Sequence, residues 1–223
     1  MNLQYQLIHS DRRTIGITVE RDRRVVVRAP QSAPKATVAA VVEKKRYWIW
    51  QKLRDPCKYP FPRYRKEFTP GETFLYLGQS YQLELLNLDT SGVQFAGNTF
   101  QLSRHERKAG QALFRAWFTA QAQAQLPPRV ARLADSLGLD YQKIEVRDLR
   151  YRWASCTKGG SLIFNWRILQ APSFVIDYLI VHELAHLLET NHTPTFWNIV
   201  AVHAPSHAKA RDWLRRHGDK LEW

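Results

Sequence analysis

The hydrophobic and polar positions along the chain change period several times. Thr14 to Glu20 and Arg24 to Arg28 are β-branched and largely alternating, and the polar turn Arg21-Asp22-Arg23 separates them, so the first thirty residues read as strands with a hairpin. From about Pro34 to Leu53 the spacing becomes helical, with Val38, Val41, Val42, Ile49 and Leu53 on one stripe. Pro56, Pro60, Pro62 and Pro70 then make an irregular link. Strand character returns over residues 73 to 102, in Phe74-Leu75-Tyr76-Leu77, Tyr81 to Leu86 and Val93 to Leu102, with turns at Gly78, Asn87 to Gly92 and Gly97-Asn98. Ser103-Arg104-His105-Glu106 has the spacing of a capping box and opens a long helix that Pro127-Pro128 should terminate. A short helix, Arg129 to Leu137, should stop at Gly138 in the left-handed conformation. Lys143 to Cys156 and Ser161 to Leu169 read as two strands joined by Thr157-Lys158-Gly159-Gly160. The predicted class is α+β: a β-rich half with one helix over residues 1–102, then a second domain over residues 103–223.

The next segment carries the chemistry. Residues 174 to 190 are apolar on nearly every face, which marks a buried helix, yet His182, Glu183 and His186 are set into it. Spacing of i and i+4 puts both imidazoles on one face about a turn apart, where they can converge on a tetrahedral metal. Two imidazoles and a carboxylate inside one apolar turn are costly to desolvate, and metal coordination supplies the compensation. This is the His-Glu-x-x-His pattern of zinc hydrolases, with Glu183 as the general base for a water that the metal activates.

A catalytic zinc needs a third protein ligand and an open position. His192 is the best placed: Asn191 tolerates a left-handed turn, and Thr193-Pro194 has the form of a cap and first residue of a new helix, so the reversal can swing His192 over the metal. The spacing also matches the metzincin pattern, which has Gly where this chain has Glu189. A carboxylate or histidine further on is the alternative third ligand. His203 and His207 stand four apart, but Pro205 keeps them off one regular helical face. Tyr178, Arg152 and Asn165 are candidate oxyanion or substrate groups by proximity to the motif.

Composition narrows the setting. With 44% hydrophobic residues in 223, the chain can bury a core without disulfides. Its two cysteines, Cys57 and Cys156, have no C-x-x-C spacing, which argues against a thiolate zinc site and for a reducing compartment. No segment is long and apolar enough to span a bilayer, and the N-terminus lacks a signal-peptide pattern, so a cytoplasmic protein with no membrane partner is expected. The 33 Lys plus Arg against 20 Asp plus Glu favour anionic partners. The densest patch, Lys44 to Lys66, sets nine basic residues against Asp55 alone and interleaves Tyr47, Trp48, Trp50, Tyr59, Phe61 and Tyr64. Such a patch is either a nucleic acid or nucleotide surface, or a solvated helix face whose aromatics are simply core.

The chain resembles the YgjP-like metallopeptidases, kin of the SprT-like and Wss1-like zinc proteases. The resemblance rests on Arg152-Trp153-Ala154-Ser155-Cys156, Leu162-Ile163-Phe164-Asn165-Trp166-Arg167, Asp177-Tyr178, Val181-His182-Glu183-Leu184-Ala185-His186-Leu187 and Asn191-His192-Thr193-Pro194-Thr195-Phe196-Trp197. It implies a minimal zincin-like core with His192 as third ligand to Zn2+. It also implies a strand beside the active-site helix that pairs with an extended peptide, and Ser161 to Ile168 is the segment assigned to it. Asn165 and Arg152 are the expected substrate-binding residues, and a peptide or protein is the expected substrate. Two other functions fit the same residues: a metal-dependent nucleotide pyrophosphohydrolase, and a nucleic-acid-binding module with a structural zinc.

Overall fold

A computed structural model describes residues 3–20, 23–54, 65–87, 91–149 and 152–223. Among the described residues it is an α+β protein of six α-helices and three small sheets. None of these helices is long and apolar enough to cross a membrane. The contacts divide the chain into two compact units, Met1–Tyr64 with Glu222–Trp223, and Arg65–Leu221.

In the first unit, β1 (Gln6–Ser10), β2 (Gly16–Val19) and β3 (Val25–Pro30) form a sheet with β3 in the centre, parallel to β1 and antiparallel to β2. The β2–β3 hairpin is the predicted one. The predicted single helix is two, α1 (Lys35–Lys44) and α2 (Arg46–Leu53), because Lys45 leaves helical geometry at φ −100 and ψ 8. The Lys45 N–H is shared between the carbonyls of Val41 and Val42, the tightened last turn common at a helix end. The apolar stripe survives the break, for Val38, Val42 and Ile49 join Val19, Val25, Val27 and Ala29 in one core.

The second unit begins with β4 (Thr73–Tyr76), β5 (Gln79–Leu86), β6 (Gln94–Ala96) and β7 (Thr99–Ser103), in the order β4-β5-β7-β6. This sheet packs its aromatic face on α3 (Gly110–Leu137): Phe74 stacks on Phe114 at 4.1 Å, and Phe100 lies 5.2 Å from Phe114 and 6.0 Å from Phe118. Shared burial of these rings is what joins residues 65–102 to the helices that follow.

Two predicted features of α3 take another form. Ser103 and Glu106 make no capping box: Ser103 Oγ pairs with His105 Nδ1 at 2.7 Å, Glu106 accepts from Ser91 Oγ and from Gly92 N, and a 3-10 turn, Arg104–Ala109, precedes the helix. Pro127 and Pro128 do not end the helix, which runs through them for 28 residues. The carbonyls they fail to serve belong to exposed Gln123 and Ala124, where water can substitute, while Ala122, Leu126 and Val130 keep the stripe buried on both sides. Gly138 ends α3 as expected, at φ +64, with Leu139 N reaching Ala134 O.

A three-stranded sheet follows, ordered β8 (Lys143–Arg147), β10 (Ser161–Asn165), β9 (Ala154–Cys156). β9 and β10 form the predicted hairpin, β8 runs parallel to β10 on its other edge, and residues 166–170 form a buried 3-10 turn instead of continuing the strand. Three helices complete the unit: α4 (Ser173–Ala185), α5 (Pro194–His203) and α6 (His207–His217). α4 packs against α3, α5, α6 and β9, which accounts for its lack of a polar face.

The β4–β5 turn ties the first sheet of this unit to the approach of α4. Leu77 N donates to Leu169 O at 2.7 Å and Gly78 N to Gln170 O at 3.1 Å. Gly78 sits at φ +83, and a Cβ there would meet Pro172 Cα at 2.8 Å. Gly78→Ala is therefore expected to cost about 2–4 kcal/mol, combining backbone strain with overpacking. Gly71→Ala, at φ +79 with nothing within 4 Å, should cost only about 1 kcal/mol. Urea unfolding of the two variants checks the ranking.

Candidate metal centre

α4 ends one residue before His186, which occupies its C-cap, so the helix is shorter than the predicted span of residues 174 to 190. His182 and His186 still share a face, with ring centroids 5.0 Å apart. The chain then reverses without a left-handed residue at Asn191. Asn191 N donates to the Glu189 carboxylate at 3.0 Å, and Thr193 N closes on Asn191 O at 2.8 Å. This three-residue turn centres on His192 and projects its ring back toward α4. The Thr193 hydroxyl caps α5 by accepting from Phe196 N, with Pro194 as first residue, as expected.

The three imidazoles converge, with ligand atoms all within 4.8 Å of one another. His182 Nε2 and His192 Nε2 stand 3.1 Å apart. Two nitrogens bound tetrahedrally at about 2.0–2.1 Å lie roughly 3.3–3.4 Å from each other, so this pair is already near the spacing that one cation demands. His186 Nδ1 faces Glu189 O at 3.0 Å. A carbonyl can only accept, so Nδ1 carries the proton and Nε2 is left as a ligand. The fit to a divalent cation rests on this donor set: three imidazole nitrogens, one orientation fixed by hydrogen bonding, and, among the described residues, no fourth protein ligand in the cluster.

The surroundings disfavour the charged form of His182 and His192. His182 is pushed down to about 3, by burial first and then by His186, His192 and Arg211. His192 is lowered by its desolvation, by His186 and by Arg211. Phe196, fully buried, packs against all three rings at 4.5–4.9 Å. Trp197 stacks on His192 at 5.7 Å, and the Arg211 guanidinium lies over Trp197 at 4.5 Å. Phe196 and Trp197 stood in the Asn191-to-Trp197 segment that carried the family resemblance; Arg211, on α6, had no sequence signal beyond its charge.

Glu183 is buried at 5% exposure and opens onto the same cleft, of about 670 Å³, as the histidines. Burial raises its carboxyl to about 7, against the pull of the Cys156 N–H it accepts and of Arg152. Arg152 lines the cleft and donates to Ser155 Oγ at 3.3 Å. Asn165 does not reach it: its amide donates to Leu149 O and Arg152 O, and its oxygen accepts from Arg167 N, so both ends serve the backbone. Tyr178, buried with its hydroxyl pushed up to about 12, makes a long 3.5 Å contact to His182 Nδ1. His203 and His207 end α5 and begin α6, apart from the triad.

The strand beside the cleft is also not the predicted one. β10 is central, both edges taken by β8 and β9, and it is β9 whose Ala154, Ser155 and Cys156 line the cleft. Trp153 O and Thr157 N bond toward β10, so by alternation the backbone groups of Ala154 and Cys156 face outward, as the Cys156 N–H to Glu183 bond requires. The free thiol of Cys156 is raised by burial and by Glu183.

A family model described as YgjP-like, metallopeptidase domain, matches residues 13–217. No curated protein matches the chain. Among solved structures, the crystal structure of the metallopeptidase zymogen of Pyrococcus abyssi abylysin is similar, at 24% identity over 42% of this chain and 92% of that one, with a TM-score of 0.37.

The stacking on His192 predicts a specific loss. Trp197→Ala is expected to weaken divalent-metal binding about 10–100-fold in chelator competition, the usual effect of removing a group that orients a ligand. Leu188→Ala, on a side chain 58% exposed, should leave it unchanged.

Proposed function

The chain belongs to the YgjP-like metallopeptidase family, and from that premise we propose that it is a zinc-dependent peptidase with His182, His186 and His192 as metal ligands and Glu183 as general base. The observation that carries this reading is the convergence of three imidazoles beside a buried carboxylate in an open cleft. We read α4 with the sheet β8-β10-β9 as a minimal zincin-like core.

Zinc, when bound, supplies polarisation of the scissile carbonyl and a water acidified toward neutrality. The protein's own part begins with Glu183, whose carboxylate takes a proton from the attacking water and delivers it to the departing amine nitrogen. Its position is set by α4 on one side and by the Cys156 N–H on the other. The outward-facing N–H and C=O of Ala154 offer a backbone ladder to an extended peptide, which places the scissile bond over the histidines. Arg152 and Lys158, both exposed on the cleft wall, favour acidic side chains near that bond.

A phosphoanhydride would use the same two cations but would leave the strand edge without a role, which favours a peptide. A structural zinc site is closed by four protein ligands, so three ligands at an open cleft favour catalysis.

Glu183→Gln should lower hydrolysis of an unstructured protein substrate by at least about 10²-fold while leaving about one zinc per chain; undiminished turnover would overturn the assignment. Backbone N-methylation, scanned along a cleaved peptide, should lower kcat/KM about tenfold at the positions that pair with Ala154 and leave intervening positions unaffected, the effect of one lost hydrogen bond.

A further inference from the structure

The first unit presents a surface that the peptidase reading leaves without a role. Residues 1–64 carry 14 of the chain's 33 Lys plus Arg but only 5 of its 20 Asp plus Glu. The basic patch of residues 44–66 is described here for 44–54 and 65–66; its middle lies outside the described residues. The described part is enough to decide what its aromatics do. Had they been core, they would be buried. Instead Tyr47 is 69% exposed, Trp50 44% and Trp48 38%, so one eight-residue helix holds three of the five large exposed hydrophobic side chains among the described residues.

These rings are ordered rather than scattered. Tyr47 and Trp50, three apart on α2, stack at 6.0 Å with their planes 19° from parallel. The guanidinium of Arg54, a further turn along, lies 4.0 Å over the Trp50 ring. Trp50 also lines a groove of about 740 Å³ with Tyr5, Arg23, Arg24 and Arg46. Lys45, at the junction that precedes α2, and Lys52, on it, are both exposed. The pair that Arg46 makes with Glu43, at 2.8 Å, involves two half-exposed side chains and exchanges readily for a stronger anion.

We propose that this face of α2, with the adjoining groove, binds single-stranded nucleic acid: Tyr47 and Trp50 offer stacking faces to bases, and Lys45, Arg46, Lys52, Arg54, Arg23 and Arg24 meet the phosphates. Planar faces interleaved with cations match a single strand, whose bases are free to leave their own stack. A helix lying in a membrane surface would need a continuous apolar face. α2 has none to give, because Ile49 is fully buried in its own core and Leu53 packs against that core. An acidic polypeptide would satisfy the charge but leave the ordered rings exposed.

This inference does not rest on the peptidase reading. The test is fluorescence anisotropy of a labelled 20-mer of thymidine with the full-length protein, at several salt concentrations. Saturable binding should weaken steeply with salt. Tyr47→Ala and Trp50→Ala should each weaken it about 5–100-fold with unchanged far-UV circular dichroism, and Trp50→Phe should restore most of the affinity. Neutralising Arg54 should lower the slope of log affinity against log salt by about one. Glu183→Gln should bind like the parent chain, so that loss of the peptidase assignment and loss of this one are told apart. The proposal is overturned if the oligonucleotide does not bind at about 50 mM salt, if removing both rings leaves affinity unchanged, or if anionic phospholipid vesicles or polyglutamate bind more tightly. Should Trp50→Ala fail to fold, Tyr47→Ala, at the more exposed position, decides the matter.

Discussion

Three imidazole lone pairs meeting in one small volume set the terms for the second unit. Two imidazole nitrogens 3.1 Å apart must share either a proton or a cation, since two facing lone pairs would repel. A shared cation answers all three at once. The rest of the local structure makes sense as the means of holding that arrangement: α4 is apolar all round so that it can be buried, the turn at residues 191–193 returns the third ring, Phe196 closes the space beneath, and Trp197 with Arg211 backs the exposed ligand.

The same arrangement gives the neighbouring groups their roles. Glu183 shares α4 with His182 and His186 but is buried on another side, where the Cys156 N–H meets it. That single hydrogen bond links α4 to the sheet edge that lines the cleft. Burial leaves the carboxyl near neutrality, the range in which a base can both take and return a proton. A divalent cation nearby would draw it lower again, toward the ionised form that a base requires.

Local chemistry was legible in the sequence where one segment contains all of it. The His182–His186 spacing, the Thr193-Pro194 start of α5, the Gly138 stop and the two hairpins each depend on a few neighbouring residues. What could not be read depends on partners distant in the chain. Pro127 and Pro128 stay helical because the faces on either side of them are buried. Asn165, polar and close to the motif, is drawn into three backbone contacts that no local pattern announces. Which strand borders the cleft turned on β8 taking the far edge of β10. Arg211 reaches the site only through helix packing. The aromatics of α2 could be read either way from the sequence, and they lie outside because the stripe of Val38, Val42 and Ile49 fills the inner side.

The two units thus pose separable chemical questions, a metal-centred cleft in one and a cationic aromatic face in the other. The central claim concerns the first, and X-ray absorption at the zinc K-edge on protein loaded with one equivalent of zinc tests it most directly. Three imidazole nitrogens at about 2.0–2.1 Å with one further oxygen scatterer are predicted. A sulfur scatterer at about 2.3 Å, fewer than three imidazoles, or failure to retain the metal would contradict the account.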